Sequence, residues 1–152
     1  MPHALGIPID LSFSHTNRGT LMTWHDWYDA LAKPTWTPDP SSISLIWSLL
    51  YPGILLSFGF VFLQSAWGRL PRSAWLPFAV NLFANLAFMP LFAGLRDIHA
   101  ATADILLVWG SLIWCAVAIW PYHRWVAIVQ VPYFVWVSIA GVLQLSIAWM
   151  NW

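Results

Sequence analysis

Two carboxamides, Asn81 and Asn85, stand one helical turn apart in an uncharged apolar stretch, and Phe88 and Phe92 continue the same stripe at i+7 and i+11. An amide that meets hydrocarbon without a partner is costly, so both Asn should point inward, toward other helices or a bound molecule. Trp47 and Tyr51 share a face of an earlier apolar stretch, and Trp136, Ala140, Leu143 and Gln144 share a face of the last one. Aromatic walls carrying a few amides suit a flat, largely apolar ligand whose polar edge meets Asn or Gln. The same stripes also describe plain helix-to-helix packing, and spacing alone does not separate the two.

The other place where residue types stand out runs from Trp24 to Pro38, with Trp24, Trp27, Tyr28 and Trp36 set among Lys33, Pro34 and Pro38. A polar loop avoids large aromatics, so this one reads as a lid folded onto something apolar, a bilayer interface or a pocket mouth. Proline at 34, 38 and 40 fixes φ and restricts each preceding residue, so the helix that follows starts at a defined angle. Asp26, Asp29, Asp97 and Asp104 are available to pair with Lys33 and Arg96 and pin the lid, or to stay solvated.

Familiar reactive arrangements are missing. The chain has no Glu, no HExxH and no GxSxG, which removes the usual signs of hydrolysis, and no catalytic residue is assigned. His3, His15, His25 and His99 fall on one expected side, but no pair has helical ligand spacing, so they read as interfacial and no metal site is expected. Cys115 lies in an apolar run and reads as a small packed hydrophobe.

Composition sets the elements that hold these residues. Of 152 residues, 60% are hydrophobic and 8% charged, far from the balance of a water-soluble domain. Six basic and six acidic residues cancel, leaving no surface for nucleic acid and no polybasic patch for anionic lipid. Four apolar stretches are long enough to cross a bilayer: residues 43–66, 74–95, about 102–120 and about 125–150, the last interrupted by Gln130 and Pro132. Ionisable groups are essentially absent from them, which argues against proton-relay transport. Within the first, Gly53 and Ser57 form a small-residue step where another helix can come close. Asp104, at the mouth of the third, is expected in a first helical turn, where the dipole favours it.

Residues 1 to 23 carry Asp10 and Arg18, each costing about 2.5 to 3.5 kcal/mol at the centre of a span, and are expected to lie at the interface as a non-spanning arm. They lack the basic and apolar regions of a cleavable signal peptide. The expectation is a single all-α integral membrane bundle: the arm, a lid loop over 24–42, and four spanning helices over 43–152. Trp67, Trp75, Trp120, Trp125 and Trp152 fall at span ends, as an aromatic belt requires. Basic residues divide evenly between the two sides. All six acids fall on the lid side, which weakly places the lid away from the cytoplasm, in what reads as a bacterial inner membrane.

Three blocks give these features a family likeness: Trp27-Tyr28-x-x-Leu31-x-Lys33-Pro34-x-Trp36-x-Pro38 continuing to Trp47-x-x-Leu50-Tyr51; Asn85-x-x-Phe88-x-Pro90-Leu91-Phe92-x-Gly94 with Asp104; and Pro132-Tyr133-x-x-Trp136-x-x-x-Ala140-x-x-Leu143. In order and spacing the chain resembles the TspO/MBR family of tryptophan-rich sensory and translocator proteins. The resemblance implies a five-helix bundle, usually dimeric, that binds porphyrins, sterols and benzodiazepine-type drugs in a cavity closed by the loop after its first helix. Bacterial relatives are linked to tetrapyrrole control, and some are reported to degrade porphyrin photochemically. Trp47 or Trp136 would be the electron donor in such chemistry. By that resemblance Trp47, Asn85, Trp136, Ala140 and Leu143 match cavity positions, and Trp27, Tyr28, Lys33, Pro34 and Trp36 match the lid.

Departures are equally specific. An apolar first helix is missing ahead of the lid, Phe88 replaces a cavity Trp, Gln144 replaces an Asn, Ser41 replaces a loop Trp, and the last span lacks the Tyr and basic residue of a sterol motif. The function expected is binding of a porphyrin, haem or similar tetrapyrrole as sensor, carrier or chaperone, with no obligatory cofactor. Membrane lipid, a hydrophobic small molecule and a homodimer or larger assembly are the expected partners. The competing expectation is an accessory subunit docked by its uncovered helix face into a larger, pigment-carrying membrane complex.

Overall fold

The structure, a computed structural model, describes residues 23 to 152. The expected arm therefore lies outside the described residues, apart from Thr23. Among the described residues every regular element is helical: α1 (Trp24–Ala30), α2 (Pro40–Ala66), α3 (Arg72–Met89) prolonged by a π-turn (Pro90–Gly94), α4 (Ile98–Ile119), α5 (Arg124–Val129) and α6 (Val131–Met150). Among the described residues, four helical stretches are long and apolar enough to cross a membrane, namely Pro40–Ala66, Arg72–Gly94, Ile98–Ile119 and Arg124–Met150. Their outer faces expose Leu45, Leu49, Leu55 and Leu56 on α2, Phe83 and Leu86 on α3, and Val117 on α4, an apolar surface that belongs in lipid rather than water. The chain is an integral membrane protein.

Local chemistry explains where the helices start and stop. Part of the expected lid loop is helical, because Thr23 and Asp26 form a reciprocal capping box: Asp26 N–H donates to Thr23 Oγ1 at 3.2 Å, and Thr23 N–H donates to Asp26 Oδ2 at 2.9 Å. Helix α2 begins with Pro40 in its first turn and ends in a Schellman motif. There Gly68 adopts φ 69°, its N–H reaches Ser65 O, and Arg69 N–H reaches Gln64 O. Pro90 lacks an N–H and crowds the preceding turn, and there the chain widens into a π-turn. Gln130 and Pro132 divide the last span into α5 and α6, as its sequence indicates.

The third span starts earlier than its hydropathy indicates. Asp97 is the N-cap, its carboxylate accepting from Ala100 N–H at 2.9 Å, so Ile98 and His99 are already helical. Asp104 is consequently in the second turn rather than the first, and it is buried, with Oδ2 unpartnered among the described residues.

The main packing joins α3 to α4 and then α4 to α6, with α2 laid across α3, α5 and α6. Phe58 and Val61 of α2, Phe78 of α3, Leu112 and Cys115 of α4 and Val126 of α5 fill the end of the bundle away from the lid. Gly53 and Ser57 bring α2 close to the α5–α6 junction, as expected: a Cβ built on Gly53 would lie 3.6 Å from Val129, and Gln130 Nε2 donates to Ser57 Oγ at 2.7 Å.

Candidate functional site: an aromatic cavity beneath α1

At the lid end the same helices line a partly open cavity of about 710 Å³, within the usual span for sites that bury a small organic molecule. Trp47 and Tyr51 from α2, Asn85 and Phe88 from α3, Phe92 from the π-turn, and Trp136, Ala140, Leu143 and Gln144 from α6 all line it. Nine of the ten sequence-chosen binding positions thus meet around one space. Ile105 and Val108 of α4 complete the back wall, and His25, Tyr28 and Asp29 of α1 form the roof.

The tenth, Asn81, does not line the cavity. One turn deeper on α3 it is fully buried against α4, donating to Val108 O at 3.0 Å and to Ser111 Oγ at 2.8 Å. Its carbonyl oxygen accepts from the Tyr133 hydroxyl at 3.3 Å, and that hydroxyl accepts from Asn85 Nδ2 at 2.7 Å. Tyr133 is the residue that reasoning from spacing missed. Its signal was a phenol in an apolar span opposite two unexplained amides, since a buried phenol needs a partner. It braces the wall as well: the Trp47 ring meets it edge-on at 6.0 Å and stacks on Tyr51 at 5.5 Å.

Polar capacity at the wall is small and placed. Asn85 spends its nitrogen on Tyr133, and Gln144 spends its nitrogen on Ile98 O at 3.3 Å and Thr102 Oγ1 at 3.2 Å. Each amide therefore keeps an acceptor oxygen. Ser44 and Ser48 line the α2 side but return their protons to Pro40 O and Ser44 O within the helix. No Lys or Arg lines the cavity among the described residues; Asp29 is the charged group at its roof.

The lid residues divide by task. Tyr28 alone among the five lines the cavity. Burial raises its phenol pKa, and the nearby Asp29 carboxylate adds to the effect. Trp27 closes on the π-turn, its ring edge-on to Phe92 at 5.2 Å, and Phe92 in turn stacks on Phe88 at 5.6 Å. Lys33 stays outside, bonding Tyr28 O and Asp29 O to cap the end of α1 while lying 4.5 Å over the Tyr28 ring. Pro34 and Trp36 line an open groove with Leu145 and Trp149 of the C-terminal part of α6. Of the lid aromatics, Trp27 and Tyr28 meet Phe92 edge-on while Trp36 is half exposed, with the roof made by helix α1 and the loop beside it.

Known proteins are similar to this chain in sequence. The chain is 38% identical over 82 residues to the tryptophan-rich protein TspO of Bacillus cereus, covering 54% of this chain and 52% of that one. It is 29% identical over 138 residues to protein CrtK of Rhodobacter capsulatus, 88% of this chain and 83% of the other. It is 31% identical over 106 residues to the translocator protein of Sus scrofa, 68% of this chain and 62% of the other. The matches to Bacillus cereus TspO and to the Bacillus subtilis membrane protein YtaB span about half the length of those relatives. The model of the TspO/MBR family matches residues 2–150, and the chain belongs to that family.

Proposed function

We propose that this protein binds a flat, predominantly apolar molecule of tetrapyrrole type within the membrane and serves as its sensor, carrier or chaperone. The observation that carries the reading is the cavity itself. About 710 Å³ is walled by Trp47, Phe88, Phe92 and Trp136, roofed by α1, and supplied with two carboxamide oxygens and, among the described residues, no lining Lys or Arg. Ring faces of this kind favour stacking with a planar π-system, and the amide oxygens of Asn85 and Gln144 suit N–H or O–H groups at its edge. A relative in Cereibacter sphaeroides, 28% identical over 104 residues, carries the name tryptophan-rich sensory protein, which fits a sensing role. The proposed setting is a bacterial inner membrane with the lid on the non-cytoplasmic face. The test is titration of the protein in detergent with protoporphyrin IX or haem while following tryptophan fluorescence. Saturable quenching that Ala140→Phe weakens by about tenfold supports the reading. Linear, non-saturating quenching of a protein whose helical circular dichroism is intact overturns it.

A further inference from the structure

The lid carries a fastening that its aromatic contacts do not account for. Beyond the last turn of α6, the side chain of Asn151 pairs with the peptide of Ala32 in both directions: Ala32 N–H donates to Asn151 Oδ1 at 2.9 Å, and Asn151 Nδ2 donates to Ala32 O at 2.8 Å. The same nitrogen reaches Ile147 O at 2.8 Å, a carbonyl that also accepts the Asn151 N–H, so the carboxamide ties the last turn of α6 to the lid backbone. Ala32 lies between the C-cap of α1, Leu31, and Lys33, which caps that helix from the other side. A two-point grip at Ala32 therefore fixes the end of the helix that forms the cavity roof. Pro34 and Trp36 line an open groove with Leu145 and Trp149 beside it, but apolar proximity of that kind is non-directional and does not set the register of the loop.

We propose that Asn151 is a latch: its carboxamide holds the lid loop in register on α6 and thereby keeps α1 closed over the cavity. Asn suits the role where similar residues do not. Asp retains the acceptor for Ala32 N–H but replaces both donated bonds with a negative charge against two carbonyl oxygens. Gln carries the same amide one methylene too far. Breaking the grip lets the loop slide and α1 lift without disturbing the packed end of the bundle. The consequence for ligand exchange rests on the binding reading proposed above; the latch itself does not.

Amide hydrogen exchange on the full chain in lipid nanodiscs tests it, using Asn151→Ala and the near-isosteric Asn151→Asp. In both variants exchange at Ala32 should rise by about tenfold or more, the equivalent of losing one net hydrogen bond. Thr37, whose N–H bonds Pro34 O at 3.1 Å, and the amides of mid-α6 should keep their wild-type protection. Asn151→Asp at a pH that protonates the new carboxyl should recover part of the Ala32 protection, a rescue that loss of packing would not show. Unchanged exchange at Ala32 in both variants, or a uniform rise across α6, overturns the latch. With protoporphyrin IX as probe, association and dissociation should both quicken in the variants with little change in affinity. If the wild type shows no saturable quenching, the binding reading fails while exchange at Ala32 still decides the latch.

Discussion

The two ends of this bundle are built from the same helices and much the same amino acids, yet one is solid and the other hollow. Away from the lid, Phe58, Phe78, Leu112, Cys115 and Val126 are almost fully buried and in mutual contact. Toward the lid, Trp47, Phe88, Trp136 and Ala140 face a partly open cavity. Side-chain size does not explain the difference, since the hollow end has the larger rings. Backbone proximity does. Gly53, Ser57 and the Ser57–Gln130 bond draw α2 onto the α5–α6 junction at the solid end, whereas between the lid and Pro52 α2 meets α6 across Trp47 and Tyr51 rather than across small residues. Rings that prop helices apart, braced by Tyr133, leave room for a molecule between them.

Truncating equivalent rings at the two ends should expose that difference most strongly. Phe78→Ala, at 0% exposure, leaves a void in a packed region and should cost about 3 to 5 kcal/mol. Phe88→Ala enlarges a space that already exists and should cost well under half as much while weakening ligand binding. Thermal unfolding in a fixed detergent, run on both variants, measures the contrast. Equal losses would mean that the lid end is as tightly packed as the other.

The two asparagines sharpen the comparison along a single helix. Asn81→Ala strips hydrogen bonds from Val108 O, Ser111 and Tyr133 in a dry interface and should cost about 1 to 3 kcal/mol. Asn85→Ala leaves Tyr133 its bond to Asn81 and should cost less than about 1 kcal/mol, with the larger effect on ligand affinity. Unfolding midpoints and quenching titrations on the same preparations separate the two roles. A smaller step comes from filling the hollow: Ala140→Phe should weaken saturable protoporphyrin quenching by about tenfold, or about 1.4 kcal/mol, and leave unfolding almost unchanged.

Much of this was legible in the residue pattern, for identifiable reasons. Four spans follow from apolar length, and nine cavity residues follow from helical period, because in lipid an inward stripe is the only place for an amide. Asn81 shows the limit. Its stripe is shared with Asn85, but the twist of one helix against its neighbour turns the deeper residue into the α4 interface, and period alone carries no information about where a neighbouring helix leaves contact. Tyr133 was readable as a motif residue, yet its part as a bridge depends on two helices far apart in sequence. Asp104 lies one turn deeper than its sequence position indicates, because hydropathy locates the apolar centre of a helix and is blind to a capping carboxylate, here Asp97, at its start. Asn151 and Ala32, 119 positions apart, carry no local signal at all.

The lid's own start sets the smallest effect. Asp26 is fully exposed, and its pKa lies below the ordinary 3.8, first because its side chain accepts from the Thr23 hydroxyl and N–H, with His25 and Arg96 adding favourable charge. A carboxyl depressed in the folded state lends its support fully above its unfolded value and loses it as the pH falls through the folded one. The capping box should therefore hold α1 unchanged from neutral pH down to about 4 and fray it below, while α3 and α4, secured by burial, stay protected. Amide exchange at Asp26 and Trp27 as a function of pH, corrected for intrinsic rates, follows the transition. Asp26→Asn should flatten the profile and Thr23→Ala should move its midpoint up toward 3.8. A wild-type profile that is flat below pH 4 would mean that α1 owes its order to the Trp27 and Tyr28 contacts on Phe92 rather than to its cap.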